Sequence, residues 1–249
     1  MSSGVSAMES PPVVSRDEWL AARMQLLAQE KESSRMLDAV AAQRRGLPMV
    51  EVDKDYVFTG PAGPARLVDL FDGRRQLIAY HFMWMPESDE GCPACSFAVD
   101  NVGDLTHLHA SDTTLALVSR APFTSIEQFR QRMGWQLPWY SSYVSDFNYD
   151  FHVTSDESVS PVEYNYKDKA TLQREGLGHY AATGQDGPGL SVFLRDGDRV
   201  FHTYSTYGRG TEVMLSTYHY LDLTPLGRQR YVDEFPHRDR YEDTASLAH

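Results

Sequence analysis

The sequence predicts an α/β protein, and three observations carry that reading. Two short uncharged apolar runs, residues 76–84 (QLIAYHFMW) and Thr113–Ser119 (TTLALVS), have strand length and suit strands buried on both faces, as in a parallel sheet. A helical segment follows each of them. Near the C-terminal end, Asp196-Gly197 is a hairpin turn signal between two further strands, 190–194 and 199–205.

Taken in order, Ser15-Arg16-Asp17-Glu18 fits a capping box, and Asp17 and Glu18 suit the positive start of a helix. No Gly or Pro follows until Gly46 and Pro48, so a helix is expected over about residues 16–45. Thirty residues at about 1.5 Å each span about 45 Å. A domain of this size has a radius of gyration near 18 Å. Such a helix crosses the whole body or reaches a second copy, so a homodimer through it is an expected assembly. Residues 50–58 read as a strand, and Gly60, Pro61, Gly63 and Pro64 as a turn. The run 76–84 then leads into a helix from Cys92 to about His109. Thr113–Ser119 leads into a second helix over 122–133, giving β-α-β-α with a right-handed crossover. Residues 134–151 are dense in aromatics, and 153–187 are polar and Gly-rich, an insertion by length. A last helix is expected over 209–221, ended by Pro225. The chain therefore divides into a disordered segment (1–14), the N-terminal helix (15–48), an α/β domain (49–224) and a C-terminal tail (225–249).

Composition bounds the function. The chain has 249 residues, 41% hydrophobic, with 23 Lys plus Arg against 35 Asp plus Glu, a net charge of −12. An acidic chain is ill suited to the phosphate backbone, so nucleic acid is not an expected partner. No apolar run approaches the roughly 18 residues of a membrane span, so no membrane is expected either. Only two cysteines are present, which excludes a disulfide-stapled secreted scaffold. Residues 1–14 show no secretory signal, and the expected location is cytoplasmic.

Those two cysteines are the sharpest local signal. Gly91-Cys92-Pro93-Ala94-Cys95 follows a buried strand and opens a helix. Pro is favoured at the first helical position, which puts Cys92 at the N-cap. A thiolate there is favoured by the backbone N–H groups and the helix dipole. Cys95, one turn on, is placed to resolve a mixed disulfide. Glu87, Asp89 and Glu90 oppose a further negative charge, but exposed charges interact weakly in water, about 1 kcal/mol at 4 Å. Three uses of the pair stay open on spacing alone: dithiol chemistry, metal binding with a distant His, and a structural role. A zinc site lacks its second C-x-x-C or a matching pair of histidines.

The order of strands and helices around C-P-x-C, with Gly-Pro before a DG hairpin, resembles a thioredoxin-like fold with a long N-terminal helix and an insertion before the last β-hairpin. That resemblance implies a cis-proline opposite the dithiol. Pro188 in GPGLSVF is its candidate, counted with Cys92 and Cys95 as catalytic, and the backbone of Gly187 would pair with substrate. Longer strings, among them SRDEWLAAR, LVDLFDGRRQLIAYHFMW, EGCPACSF, MGWQLPWYSSYVSDFNYDF and SVFLRDGDRVFHTYSTYGRG, resemble one bacterial family over about residues 15–230. It is the domain-of-unknown-function family eight-nine-nine, often labelled predicted dithiol-disulfide oxidoreductase. The resemblance implies a small thiol or protein disulfide as substrate and no cofactor. Peroxiredoxins resemble residues 58–82 but carry Thr where Asp89 stands, and thioredoxin carries Trp where Gly91 stands. Arg120 and the aromatics Trp139 and Tyr143 are candidate substrate contacts, Arg120 because ligands of open α/β sheets gather at the carboxyl edge. The alternative is a copper protein, with Cys92, Cys95, His81 and His202 as ligands, since soft thiolates favour Cu(I).

Overall fold

The computed structural model describes residues 10–241; of the segment expected to be disordered, residues 1–9 lie outside it. The described residues form two compact units, 10–48 with 218–229, and 49–217 with 230–241. The first is dominated by α1 (Arg16–Arg45), whose capping box is formed as the sequence predicts. Glu18 N–H donates to Ser15 Oγ, and Ser15 N–H to Glu18 Oε2 at 2.9 Å. None of its residues is buried.

The second unit is built on one eight-stranded sheet. Its strands are β1 (Val50–Glu51), β2 (Val57–Gly60), β3 (Gly63–Arg66), β4 (Gln76–His81), β5 (Thr113–Ser119), β6 (Trp139–Ser141), and the hairpin described below. The strand expected over 50–58 is broken, because the charged run Asp53-Lys54-Asp55 turns outward. Lys54 there reaches Asp146 and Asp150 at 2.9 and 2.7 Å. Helix α2 (Pro93–Asp100) joins β4 to its parallel neighbour β5. The single helix expected from Cys92 to His109 stops at Asn101. A new one, α3 (Thr106–Ala110), starts where Asp104 accepts the Thr106 N–H at 2.8 Å. Helix α4 (Phe123–Met133) returns from β5 to β6.

Helix α5 (Phe147–Asp150) precedes the insertion, which contains β7 (Thr154–Ser155), β8 (Glu163–Tyr164), β9 (Lys167–Asp168), α6 (Lys169–Arg174) and β10 (Gln185–Asp186). The insertion folds around a small cluster, Val153, Val162, Tyr164, Leu172 and Ala181, closed by Tyr207 from the end of the final hairpin. The final hairpin, β11 (Gly189–Asp196) and β12 (Arg199–Tyr207), pairs antiparallel, and β11 lies antiparallel to β4. The helix expected over 209–221 is two pieces, a 3-10 turn over Gly208–Met214 and helix α7 (Ser216–Leu221), and two short 3-10 turns follow at Val232–Glu234 and Arg238–Arg240.

The central strand order is β12-β11-β4-β5, with β4 and β5 parallel and β11 and β12 antiparallel. That topology, with a C-P-x-C helix directly after β4, is a thioredoxin-like fold with an N-terminal helix and an insertion before its last hairpin. Successive side chains of a strand face opposite sides of the sheet. On β4, Leu77, Ala79 and His81 therefore enter one layer, with Ala79 in the main core beside Phe58, Phe71, Phe147 and Phe193. Tyr80 enters the other, the layer of α2.

Candidate active site

Helix α2 starts where Pro93 occupies its first turn and Cys92 caps it. The loop before it is drawn tight by Met83, whose carbonyl accepts the Cys92 N–H at 3.2 Å and whose N–H points to Cys95 Sγ at 3.4 Å. Gly91 is required by close approach. A Cβ there would lie 2.6 Å from the Phe82 ring. The Trp that thioredoxin carries at this place has no room, because Phe82 and Trp84 already fill it.

Both cysteines are free thiols, and their surroundings differ. Cys92 is half-buried. A hydrogen bond from the Cys95 thiol and the N–H groups of Cys95 and Ala94 outweigh burial and the nearby charge of Asp233, and push its pKa down to about 7. Cys95 is 1% exposed, and burial, followed by its hydrogen bond to Cys92 and the charge there, pushes its pKa up. The Tyr80 hydroxyl donates to Cys95 and favours its charged form. Burial keeps Tyr80 itself protonated, so it stays a donor.

Cys92 opens on a cavity of about 790 Å³, with an apolar wall of Met83, Trp84 and Met85. Glu87, Asp89 and Glu90 line it, together with Arg132, Arg240, Gln185 and Asp186. Asp186 is the least exposed of these charged groups, at 2%. Its Oδ1 accepts from Arg120 Nε at 2.8 Å and Thr154 Oγ1 at 2.7 Å, while Oδ2 makes no hydrogen bond of acceptable geometry. Burial raises its pKa against Arg120, Thr154 and the Trp84 backbone.

The expected C-terminal tail is partly a wall of this site. His237 is buried and donates from Nε2 to the Gly91 carbonyl at 2.9 Å. Arg240 pairs with Glu90 at 2.6 Å, and Arg132 bridges Glu90 and Asp239 at 3.0 and 2.7 Å. Burial pushes the Glu90 carboxyl up, but the two arginines hold it below its ordinary range. Phe235 stacks on Phe97 of α2 with centroids 4.4 Å apart. Sequence reading missed His237 and its neighbours, since a charged run after the last helix carries no local mark of docking.

Several sequence-predicted residues lie elsewhere. The Gly187–Pro188 bond is trans, like every peptide bond among the described residues. The Pro188 carbonyl is taken by the Tyr164 hydroxyl at 2.8 Å, and the Gly187 N–H by Val153 at 2.8 Å. The chain meets the cavity two residues earlier, at Gln185 and Asp186. Arg120 is not free for a substrate, because its guanidinium is spent on Asp186 and on the Gly184 carbonyl at 2.8 Å. Trp139 is a core residue, 1% exposed, donating to Ser119 Oγ at 2.9 Å within a cluster of Phe82, Trp84, Phe129 and Trp135. Tyr143 is exposed and does not line the cavity.

The copper ligand set is also corrected. Tyr80 faces Cys95, so His81 next to it faces the opposite layer, stacked on Phe147 at 5.4 Å. His81 and His202 do share a site, joined through Ser191 and Ser205 by hydrogen bonds of 2.8, 2.9 and 2.8 Å. Burial pushes the His81 pKa down to about 3 and lowers that of His202, so both are neutral at pH 7. Among the described residues no group of three His, Cys, Asp or Glu side chains is placed to hold a metal ion.

The family model described as bacterial protein of unknown function (DUF899) matches residues 8–241. The chain belongs to that family. No curated protein matches the sequence. Among solved structures, the bacterioferritin comigratory protein of Xanthomonas campestris is 13% identical, covering 69% of this chain and 96% of that one, with a TM-score of 0.43. Peroxidoxin BcpB of Mycobacterium tuberculosis is 14% identical, covering 70% and 97%, with a TM-score of 0.44. A thiol:disulfide interchange protein DsbE of Chlorobium tepidum, so described provisionally, is 11% identical, covering 70% and 97%, with a TM-score of 0.36.

Proposed function

We propose that this protein is a thiol–disulfide oxidoreductase working through Cys92 and Cys95 on a small or protein disulfide. The observation that carries the reading is the asymmetry of the two thiols. Cys92 reaches a cavity with its pKa pushed down to about 7, while Cys95 is buried behind it and pushed up. The thiolate is the nucleophile in exchange.

The Cys92 thiolate attacks one sulfur of the substrate disulfide. The substrate S–S bond breaks and its other sulfur leaves as a thiolate. Cys95 gives up its proton, attacks Cys92 Sγ, and displaces the second substrate sulfur. Two electrons pass to the substrate, and the protein ends as the Cys92–Cys95 disulfide, returned to the dithiol by an external thiol reductant. The Tyr80 hydroxyl supports the second step by donating to Cys95 as it becomes charged.

The reading takes the cytoplasm as its setting, where thiols are kept reduced. Among the described residues no helix is long and apolar enough to cross a membrane. A second copy of the chain is the proposed partner of α1, which exposes Trp19, Met24, Met36 and Leu37. In an assay with a disulfide substrate and a dithiol reductant, Cys92→Ser should abolish turnover. Cys95→Ser should accumulate a mixed disulfide visible by intact mass. Turnover retained in Cys92→Ser overturns the proposal.

A further inference from the structure

The peptide unit between Gly91 and Cys92 is held at both ends. Its N–H, on Cys92, donates to the Met83 carbonyl at 3.2 Å, and its C=O, on Gly91, accepts from His237 Nε2 at 2.9 Å. A carbonyl oxygen only accepts, so Nε2 carries the hydrogen in this contact. Gly91 has no side chain to anchor it, and Phe82 leaves no room for one. The direction of this peptide therefore rests on its two hydrogen bonds. It sets where Cys92 begins, the residue that caps α2 and faces the N–H groups of Ala94 and Cys95. A thiolate is favoured by such N–H groups only while they stay aimed at its sulfur.

His237 is itself firmly placed. Its side chain is fully buried, its ring meets Phe129 of α4 edge-on at 5.3 Å, and its Nδ1 lies 3.4 Å from Arg132 and 3.6 Å from Glu90. The segment around it grips α2 along its length. Arg240 holds Glu90 at 2.6 Å before the helix, Phe235 stacks on Phe97 in its middle, and Arg238 pairs with Asp100, its last residue, at 3.1 Å. A buried donor aimed at one backbone carbonyl, in a segment fixed on both sides of it, is a means of orienting that carbonyl.

We infer that His237 is the positioning residue of the nucleophile: through the Gly91 carbonyl it fixes the Gly91–Cys92 peptide and so keeps the Cys92 sulfur on the N–H groups of Ala94 and Cys95. The inference rests on the dithiol reading above. His237 does not line the cavity and acts through the backbone.

The test uses the full-length reduced protein and two substitutions of matched shape, His237→Gln, which keeps an N–H donor, and His237→Met, which lacks one. Deleting the segment would also remove Asp233, whose charge opposes the Cys92 thiolate, so only His237 is changed. The rate of Cys92 alkylation by iodoacetamide is followed against pH, read from the mass of the Cys92 peptide. In His237→Met the midpoint should rise by about one pH unit, so the rate at pH 7 should fall about fivefold, and above about pH 10 it should rejoin the parent's. His237→Gln should keep the parent's midpoint. Single-turnover reduction of hydroxyethyl disulfide at pH 7 should follow the same order. Arg238→Gln, which loosens the same segment at the far end of α2, should lower stability to denaturant and leave the midpoint in place. A folded His237→Met with the parent's midpoint overturns the inference. So does a midpoint raised as far in Arg238→Gln, or a raised midpoint in His237→Gln, the variant that decides where His237→Met does not fold. If hydroxyethyl disulfide fails to oxidise the parent's Cys92–Cys95 pair, the dithiol reading itself falls, whatever the order of the midpoints.

Discussion

Helices α1 and α2 differ in what holds them. Helix α1 runs 30 residues and buries none. Its visible support is local: the Ser15–Glu18 box and ion pairs along its own surface, such as Arg35–Glu32 at 2.7 Å. Helix α2 runs 8 residues and buries Cys95, Ser96, Ala98 and Val99. Isolated helices that short are marginal in water, so α2 exists because of what packs on it. The helix that depends on its neighbours is also the one whose chemistry they alter. Cys92 owes its low pKa to groups of α2 itself, the Cys95 thiol and the N–H groups of Ala94 and Cys95, and packing on α2 is what holds them in place.

The largest effect that tests this contrast is on stability. Trp139→Ala, in the aromatic cluster facing the dithiol layer, should cost about 3–5 kcal/mol in denaturant unfolding. Leu37→Ala on α1, where Leu37 is 70% exposed, should cost no more than about 0.5 kcal/mol. A Leu37→Ala loss matching that of Trp139→Ala would break the contrast and mean that α1 is covered in solution.

Next comes pH. The rate of Cys92 alkylation should titrate with a midpoint near 7 instead of the ordinary 9.0. Between pH 7 and pH 6 the thiolate fraction, and with it the rate, should drop roughly fivefold. Because the folded value lies below the ordinary one, the reduced protein carries stability that is complete above pH 9.0 and is lost as pH falls through 7. The disulfide form lacks it. An alkylation midpoint at the ordinary value would remove the contrast between the helices.

The smallest effect sharpens the local side of the comparison. Ser15→Ala should cost about 1 kcal/mol, read as faster amide exchange in the first turn of α1. It should leave the Cys92 alkylation midpoint where it is. A shift of that midpoint would show that α1 is not governed by local terms alone.

The legible parts of this protein share a physical origin. The start of α1 is written in Ser15 and Glu18, three residues apart. Strand β5 is written in seven consecutive residues that all become buried. The dithiol is written in Cys92-Pro93-Ala94-Cys95. The illegible parts are meetings of distant residues. Asp186 becomes a cavity residue because Arg120, 66 positions away, holds it. His237 reaches the Gly91 carbonyl across 146 positions. Arg120 and Trp139 read as substrate contacts because their types suit ligands, and nothing local says that Asp186 and Ser119 occupy them first.

By itself, then, the sequence determined the α/β class, the long capped helix and the placement of Cys92 at the start of α2, because caps, periodicity and Pro at a first turn act over a few residues. Only the tertiary structure decided which face of β4 each side chain enters. That choice joins Tyr80 to the thiols and turns His81 away from them. It also decided that Arg240 lines the cavity, that His237 docks on the Gly91 carbonyl, and that Asp186, not Gly187 and Pro188, meets the cavity. Burial and electrostatic pairing depend on groups far apart in the chain, and no short window of sequence contains them.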